Sequence, residues 1–285
     1  VGSLSPFSRM VGADKRYCNV QLNRGCRSNC AFCGVTPFMG KGVRQYPVKQ
    51  VITEIEYLVK ERGVSHFEWL DDDLLKSQSS ITEILQGIID LKLDITWAAN
   101  NGLIAVSLTE KLLKIMVDSG CIGFRIGIES GNEEMLKQIR KPASKSNLLK
   151  KSKLLSQFPQ IFVAGCYIIG FEEETNKQIL DTFHLCLEMD LSWSSWAVFQ
   201  KPAEETIDNE FETDLEPVET EEYRKSSDFI PSKANADSSI QSDISINLEE
   251  IFTTNLENVH SPDHLDEIWF AFNFLTNYVN NKYLR

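Results

Sequence analysis

The sequence predicts an α/β fold, a partial (β/α)6 barrel of parallel strands with a C-terminal, mostly helical extension. Three observations predict it. Apolar strand-like segments alternate with amphipathic helical segments, six times or nearly so, between residues 16 and 200. The run IFVAGCYIIGF (161–171) is strongly apolar, as a strand covered on both faces of a parallel sheet would be. After Lys201-Pro202 the alternation stops, and polar, acidic, Ser/Asn-rich sequence precedes purely helical spacing. A curved sheet of this kind would gather the C-terminal ends of its strands around one cavity.

Residues 1–15 are irregular and read as an N-terminal arm. YCNVQLN (17–23) reads as the first strand, leading into a cysteine-bearing loop. VKQVITEIEYLVKER (48–62) has helical spacing, and Gly63 ends it. HFEWLDD (66–72) is a short strand with an acidic end; ITEILQGIIDLK (81–92) is helical; DITWAAN (94–100) is the third strand. LTEKLLKIMVDSG (108–120) is an amphipathic helix with Thr109 as N-cap and Gly120 as its stop. CIGFRIGIES (121–130) follows as a strand, then the helical pieces NEEMLKQIR and SNLLKKSKLLSQ, separated by Lys141-Pro142. After IFVAGCYIIGF come the helix TNKQILDTFHLCLEM (175–189) and a last strand, SWSSWAVFQ (192–200). The expected organisation is an arm at 1–15, a core barrel at 16–200, an acidic polar loop or linker at 201–247 and a helical extension at 248–285.

Charge is unevenly spread. The 285-residue chain carries −12, yet residues 203–222 alone hold ten acids and no base, which leaves −2 for the rest. The barrel is thus nearly neutral, with no basic groove of the kind that tracks nucleic acid. The acidic run reads as a solvated loop. No apolar run is long enough to span a bilayer. Seven cysteines, an odd number in a chain too large to need disulfide staples, fit a reducing, cytoplasmic location. Cys18, Cys121, Cys166 and Cys186 stand singly and read as small buried hydrophobes.

RGCRSNCAFC (24–33) is different, because Cys26, Cys30 and Cys33 crowd one loop with spacing C-x3-C-x2-C and have no fourth cysteine nearby. Three thiolates can hold three corners of a cubane iron–sulfur cluster and leave one iron open to a ligand. An incomplete ligand set marks a reactive metal site. The alternative is a zinc site completed by a distant His or Cys.

With CRSNCAFC, in which Phe32 precedes the last cysteine, the chain resembles the radical S-adenosylmethionine (radical SAM) superfamily over about residues 16–200. The resemblance implies a [4Fe-4S] cluster on Cys26, Cys30 and Cys33, with S-adenosylmethionine (SAM) at the open iron. It implies that FEWLDDDLL brings Asp71 or Asp72 to the methionyl amine, a solvated turn being the alternative. GIESGN resembles a strand motif that would bring Glu129 and Ser130 to the ribose or amino-acid end, with Arg125 available to a carboxylate; a structural Arg125–Glu129 ion pair is the alternative. CYIIGFEEE resembles the strand that lies against adenine, with Ile168 as apolar contact and Gly170 permitting close approach.

The implied chemistry is reductive cleavage of SAM and hydrogen abstraction from an unactivated C–H, by an oxygen-sensitive enzyme that a flavodoxin- or ferredoxin-like protein reduces. The combination most resembles the branch of methylthiotransferases and cobalamin-linked methyltransferases and cyclases. The residues before 16 are too few for a cobalamin module, so cobalamin enters only if an upstream domain or a partner supplies it. No second cysteine cluster is present, which disfavours methylthiolation. Three readings stay open: methyl transfer, a single-cluster radical isomerase or epimerase with Cys166 as a candidate hydrogen donor, and a non-catalytic iron–sulfur or zinc protein. The expected substrate is a small molecule or a peptide; a nucleic acid is not expected, since the acidic segment repels phosphate.

Overall fold

The structure is a computed structural model, and it describes residues 6–12, 14–200 and 262–279. The acidic run 203–222, the expected linker 201–247 and the expected helix 248–259 lie outside the described residues.

Six strands form one parallel sheet: β1 (Tyr17–Val20), β4 (His66–Trp69), β5 (Thr96–Leu103), β6 (Cys121–Glu129), β7 (Phe162–Ile169) and β8 (Trp193–Val198). They lie side by side in chain order. A sheet wound in one direction by right-handed crossovers carries its helices on one face and leaves the other face free to line a cavity. The crossover helices are α3 (Val48–Arg62), α4 (Gln78–Asp90), α5 (Glu110–Asp118), α6 (Glu133–Gln138) with α7 (Lys145–Leu155), and α8 (Asn176–Met189). Their ends follow the sequence: Thr109 caps α5 by accepting from Leu112 N, and Thr175 with Gln178 forms a capping box on α8.

Side-chain alternation separates the two faces. On β6 the helix-facing Phe124, Ile126 and Ile128 are fully buried, while Arg125 and Gly127 on the other face are partly open. β7 repeats the pattern, and so corrects the expectation of a strand equally covered on both faces. Val163, Tyr167 and Ile169 are buried under helices, whereas Phe162, Cys166 and Ile168 are half-buried on the inner face. Trp97 also belongs to the helix side, where it packs edge-on against Trp69 and donates from Nε1 to Ser119 Oγ at 3.1 Å.

The first strand is shorter than the sequence suggested. After Val20 the chain leaves the sheet, and β2 (Asn23–Arg24) pairs antiparallel with β3 (Arg44–Gln45). The N-terminal arm is partly structured: α1 (Pro6–Met10) buries Phe7 edge-on against Phe162, at the N-terminal end of β7.

Helix α9 (Pro262–Phe274) and the π-turn after it, Leu275–Val279, pack on the edge strand β8. Phe272 stacks on Phe183 with ring centroids 4.4 Å apart. No helix among the described residues is long and apolar enough to cross a membrane.

Candidate metal and cofactor site

The cysteine loop leaves β2 and turns into α2 (Val35–Met39) beyond the C-terminal end of β1. Three successive aspartates after β4 hold it. Asp71 accepts from Leu22 N (3.0 Å) and from Asn23 N. Asp72 accepts from Gly25 N at 2.9 Å. Asp73 takes Arg27 in a two-pronged ion pair, Nε at 2.7 Å and Nη2 at 2.8 Å. The acidic end of this strand is therefore a clasp on the loop that carries the thiols. Asp71 is put to a use other than the expected one: it is buried and both its oxygens face loop amides. Burial pushes its carboxyl up to about 7, against the pull of those two amides. Asp72 stays half-buried, with one oxygen on Gly25.

Cys26, Cys30 and Cys33 are all free thiols and partly exposed. The loop curls through Cys33 N onto Cys30 O (3.2 Å), and Ala31 N bonds Ile139 O (2.9 Å), which ties it to the segment after α6. Burial raises the Cys30 thiol, the nearby Lys141 cation lowers it, and Cys33, Glu129 and Cys26 raise it in turn. The three thiols, one ammonium and one carboxylate thus lie in each other's field. Among the described residues no three His, Cys, Asp or Glu side chains converge on the place of a single metal ion, a convergence that a four-iron cluster, with each thiol on its own iron, does not require.

Glu129 ends β6 with φ of +67°, a backbone conformation that costs a non-glycine residue on the order of 1 kcal/mol. Its Oε1 meets Lys141 Nζ at 2.8 Å. Gly127 makes that possible, since a Cβ there would lie 2.4 Å from Glu129 Oε1 and 2.7 Å from Lys141 Nζ. Burial alone would lower the Lys141 ammonium, but the charge and hydrogen bond of Glu129 overcome it and the net shift is upward. The Arg125–Glu129 pair considered from the sequence is replaced by this one. Arg125 instead lies on the inner face beside Cys166. Ser130 is fully buried; its hydroxyl bonds Thr182 Oγ1 (3.2 Å) and accepts from Asn132 N, so it shapes the turn and does not face the cavity.

An apolar wall completes the site. Half-buried Phe32, Ile168 and Phe199 pack against Met135, Leu136, Ile139 and Phe171. Gly170 follows β7 with φ of +80°, and its close neighbour is Leu265 of α9, which a Cβ would approach to 2.8 Å. Glu174 accepts from both Gly170 N (2.6 Å) and Phe171 N (3.2 Å), and burial pushes its carboxyl up to about 7. Cys166 sits on the inner face of β7, in register with side-chain-free Gly127. Burial raises its thiol and the Arg125 charge opposes the rise. Asn101 donates to Leu70 O (2.9 Å).

Sequence reasoning missed Lys141, which it saw only as part of the break between two helical pieces, and the Arg27–Asp73 pair. Spacing carries no signal for either; they meet their partners only through the crossover and the strand order.

Similarity to known proteins runs through this same region. The chain is 32% identical over 170 residues to cytidylyl-2-hydroxyethylphosphonate methyltransferase of Streptomyces wedmorensis, covering 58% of this chain and 30% of that protein. It is 30% identical over 179 residues to an uncharacterized methyltransferase of Pyrococcus horikoshii, covering 63% and 38%. Among solved structures it superposes on the radical S-adenosylmethionine methyltransferase TsrM from Kitasatospora setae, with TM-score 0.56, 15% identity and coverage of 64% and 35%. The matched part is thus only 30% to 38% of the length of each. The sequence profile of the Radical SAM superfamily matches residues 20–186, more than half of the chain and all of the site from the cysteine loop to Glu174, and the chain belongs to that superfamily.

Proposed function

We propose that this chain holds a [4Fe-4S] cluster on Cys26, Cys30 and Cys33, cleaves SAM reductively at the fourth iron, and directs the product at an unactivated C–H of a small molecule or peptide. The donor set fits the group: three partly exposed thiols on one clasped loop, with the Lys141 cation offsetting part of the burial that raises Cys30. When bound, the cluster supplies the electron that splits the sulfonium, and the adenosyl fragment takes the substrate hydrogen.

The chain's own residues bind and orient. Lys141 is suited to the methionyl carboxylate and Glu129 to its amine, since the two already sit as a preformed opposite-charge pair beside Cys30. The second carboxylate oxygen of Asp72 is the other candidate for the amine. Phe32 and Ile168 offer an apolar face to adenine. Arg125 and Cys166 share the inner face beside the Lys141–Glu129 pair and are the candidates for contact with substrate. Residues 16–200 make up the radical core in this reading, with 262–279 bracing its last strand. The methyltransferase names of the relatives support methyl transfer as the overall reaction, with any cobalamin supplied from outside the described residues.

The observation that carries the proposal is the meeting of the cysteine loop with the Lys141–Glu129 pair. Anaerobic reconstitution should yield about four irons and four sulfides per chain. Dithionite and SAM should then release 5′-deoxyadenosine, and Cys30→Ala should abolish both. A colourless zinc-binding chain indifferent to SAM would overturn it.

Cys166 favours a second reading, a single-cluster epimerase or isomerase. Its thiol is held protonated on the inner face, a state suited to giving a hydrogen atom and not to nucleophilic attack. In that case Cys166→Ala keeps SAM cleavage but loses product, whereas a methyltransferase keeps both.

A further inference from the structure

The segment that carries the cysteines is basic within an acidic protein. Residues 15–53 hold seven Lys and Arg and no Asp or Glu, in a chain of net charge −12. Arg24, Lys41, Arg44 and Lys49 are exposed, and no ion pair among the described residues takes them up. Arg24 and Arg44 are direct partners across the β2–β3 ribbon. Like charges set opposite each other on a ribbon destabilise it; Arg44 donates to Met39 O of α2 at 2.8 Å, while Arg24 stays exposed. Next to them, Phe38 of α2 is 89% exposed, and its ring lies over Gly34, where a Cβ would be 3.8 Å from Cδ2. Gly34 directly follows Cys33.

We infer that exposed Lys41, Arg44 and Lys49 form a basic rim with the apolar Phe38, and that this face is the docking surface for an acidic one-electron carrier protein. The inference deepens the function proposed above and rests on it. Charge complementarity chooses the occupant, and the position beside Cys33 gives the choice a purpose: an electron enters at the segment that directly follows the third thiol. Transient electron-transfer encounters bury less than about 1,200 Å², an area that one short helix and a two-stranded ribbon can supply. One electron leaves the carrier and enters the cluster; no bond, proton or group moves with it, so the carrier is oxidised by one and the cluster reduced by one. Steering by the rim acts on the association rate and weakens as salt is added.

The test uses the reconstituted full chain and two acidic probes, a plant-type [2Fe-2S] ferredoxin and a flavodoxin. Titration calorimetry reads affinity at low and high salt, and 5′-deoxyadenosine release is followed with each carrier and with dithionite. For Lys41→Glu/Lys49→Glu, and for Phe38→Ser, we expect affinity for at least one carrier to fall about tenfold. Wild-type affinity should fall with salt, while iron content and dithionite-driven cleavage stay at wild-type levels. Carrier affinity unchanged in both variants, or insensitive to salt, overturns the inference. So does a surface that takes up transfer RNA but neither carrier. Failure of the wild type to cleave SAM with dithionite strikes the radical reading instead, and the binding measurements still decide the docking surface.

Discussion

Lys141 Nζ and Glu129 Oε1 meet at 2.8 Å in space that any side chain at position 127 would occupy. The pair is nearly buried, stands beside Cys30, and is held by a left-handed backbone at Glu129. A charge pair with so little water around it is strong and expensive to break on one side only.

Lys141→Met should therefore raise the dissociation constant for SAM by about tenfold to a hundredfold, or about 1.4–2.8 kcal/mol, and leave iron content unchanged. Equilibrium binding to the anaerobic holoprotein reads the first and iron analysis the second. Gly127→Ala should give a loss in the same range by displacing the pair, with the far-ultraviolet circular dichroism of the wild type. Normal SAM affinity in both variants would remove the pair from the binding site.

The clasp predicts a different signature. Asp73 is buried and Arg27 about one-third exposed, so the ion pair is partly screened. Asp73→Ala leaves the guanidinium without its partner and the loop without a tether, at a cost of about 2 kcal/mol. Urea unfolding of the apoprotein should show that loss. Reconstituted iron should fall well below four per chain while Cys26, Cys30 and Cys33 are all present.

Much of the fold was legible because its signal is local. Alternating strand and helix segments, the Thr109 cap and the apolar β7 each announce themselves within a dozen residues, and sequential winding follows from right-handed crossovers. The cysteine spacing was legible for the same reason. What the sequence hid depends on long-range pairing. Asp71 and Asp72 read as ligand contacts at a strand end, yet together with Asp73 they meet residues 22–27, more than forty positions earlier. Ser130 read as a cavity residue, yet Thr182 of α8 covers it. Lys141 read with Pro142 as a break between two helical pieces, yet the crossover after β6 brings it back to Glu129.

Glu174 gives the protein a pH dependence of definite sign. Its carboxyl is raised to about 7 from 4.5, so the folded state binds a proton that the unfolded state has already lost. Its contribution to stability is full below pH 4.5 and is lost as pH rises through 7. The amplitude is on the order of 3 kcal/mol. Glu174→Gln keeps one oxygen for Gly170 N and Phe171 N and removes the titration. Thermal unfolding of this variant between pH 5 and 8, set against the wild type, should be flatter by that amount; parallel curves would count against a raised carboxyl.

The last prediction concerns the edge of the sheet. Among the described residues β8 has a strand neighbour on one side only, and an open strand edge exposes unpaired amides and carbonyls. Asn277 closes it, accepting from Ser194 N at 2.9 Å and donating to Ser194 O at 2.7 Å, as the backbone of a further strand would do. Trp269 Nε1 adds a bond to Trp196 O at 2.6 Å. Asn277→Ala leaves a buried amide and carbonyl without partners, each worth about 1 kcal/mol or more. Urea unfolding should move by about 2 kcal/mol, and the variant should aggregate faster at high concentration because the freed edge can pair with another copy. Asn277→Asp should recover the bond to Ser194 N alone and set a carboxylate against Ser194 O. Its stability should therefore be no better than that of the alanine variant, which separates loss of the two-point bond from loss of side-chain volume.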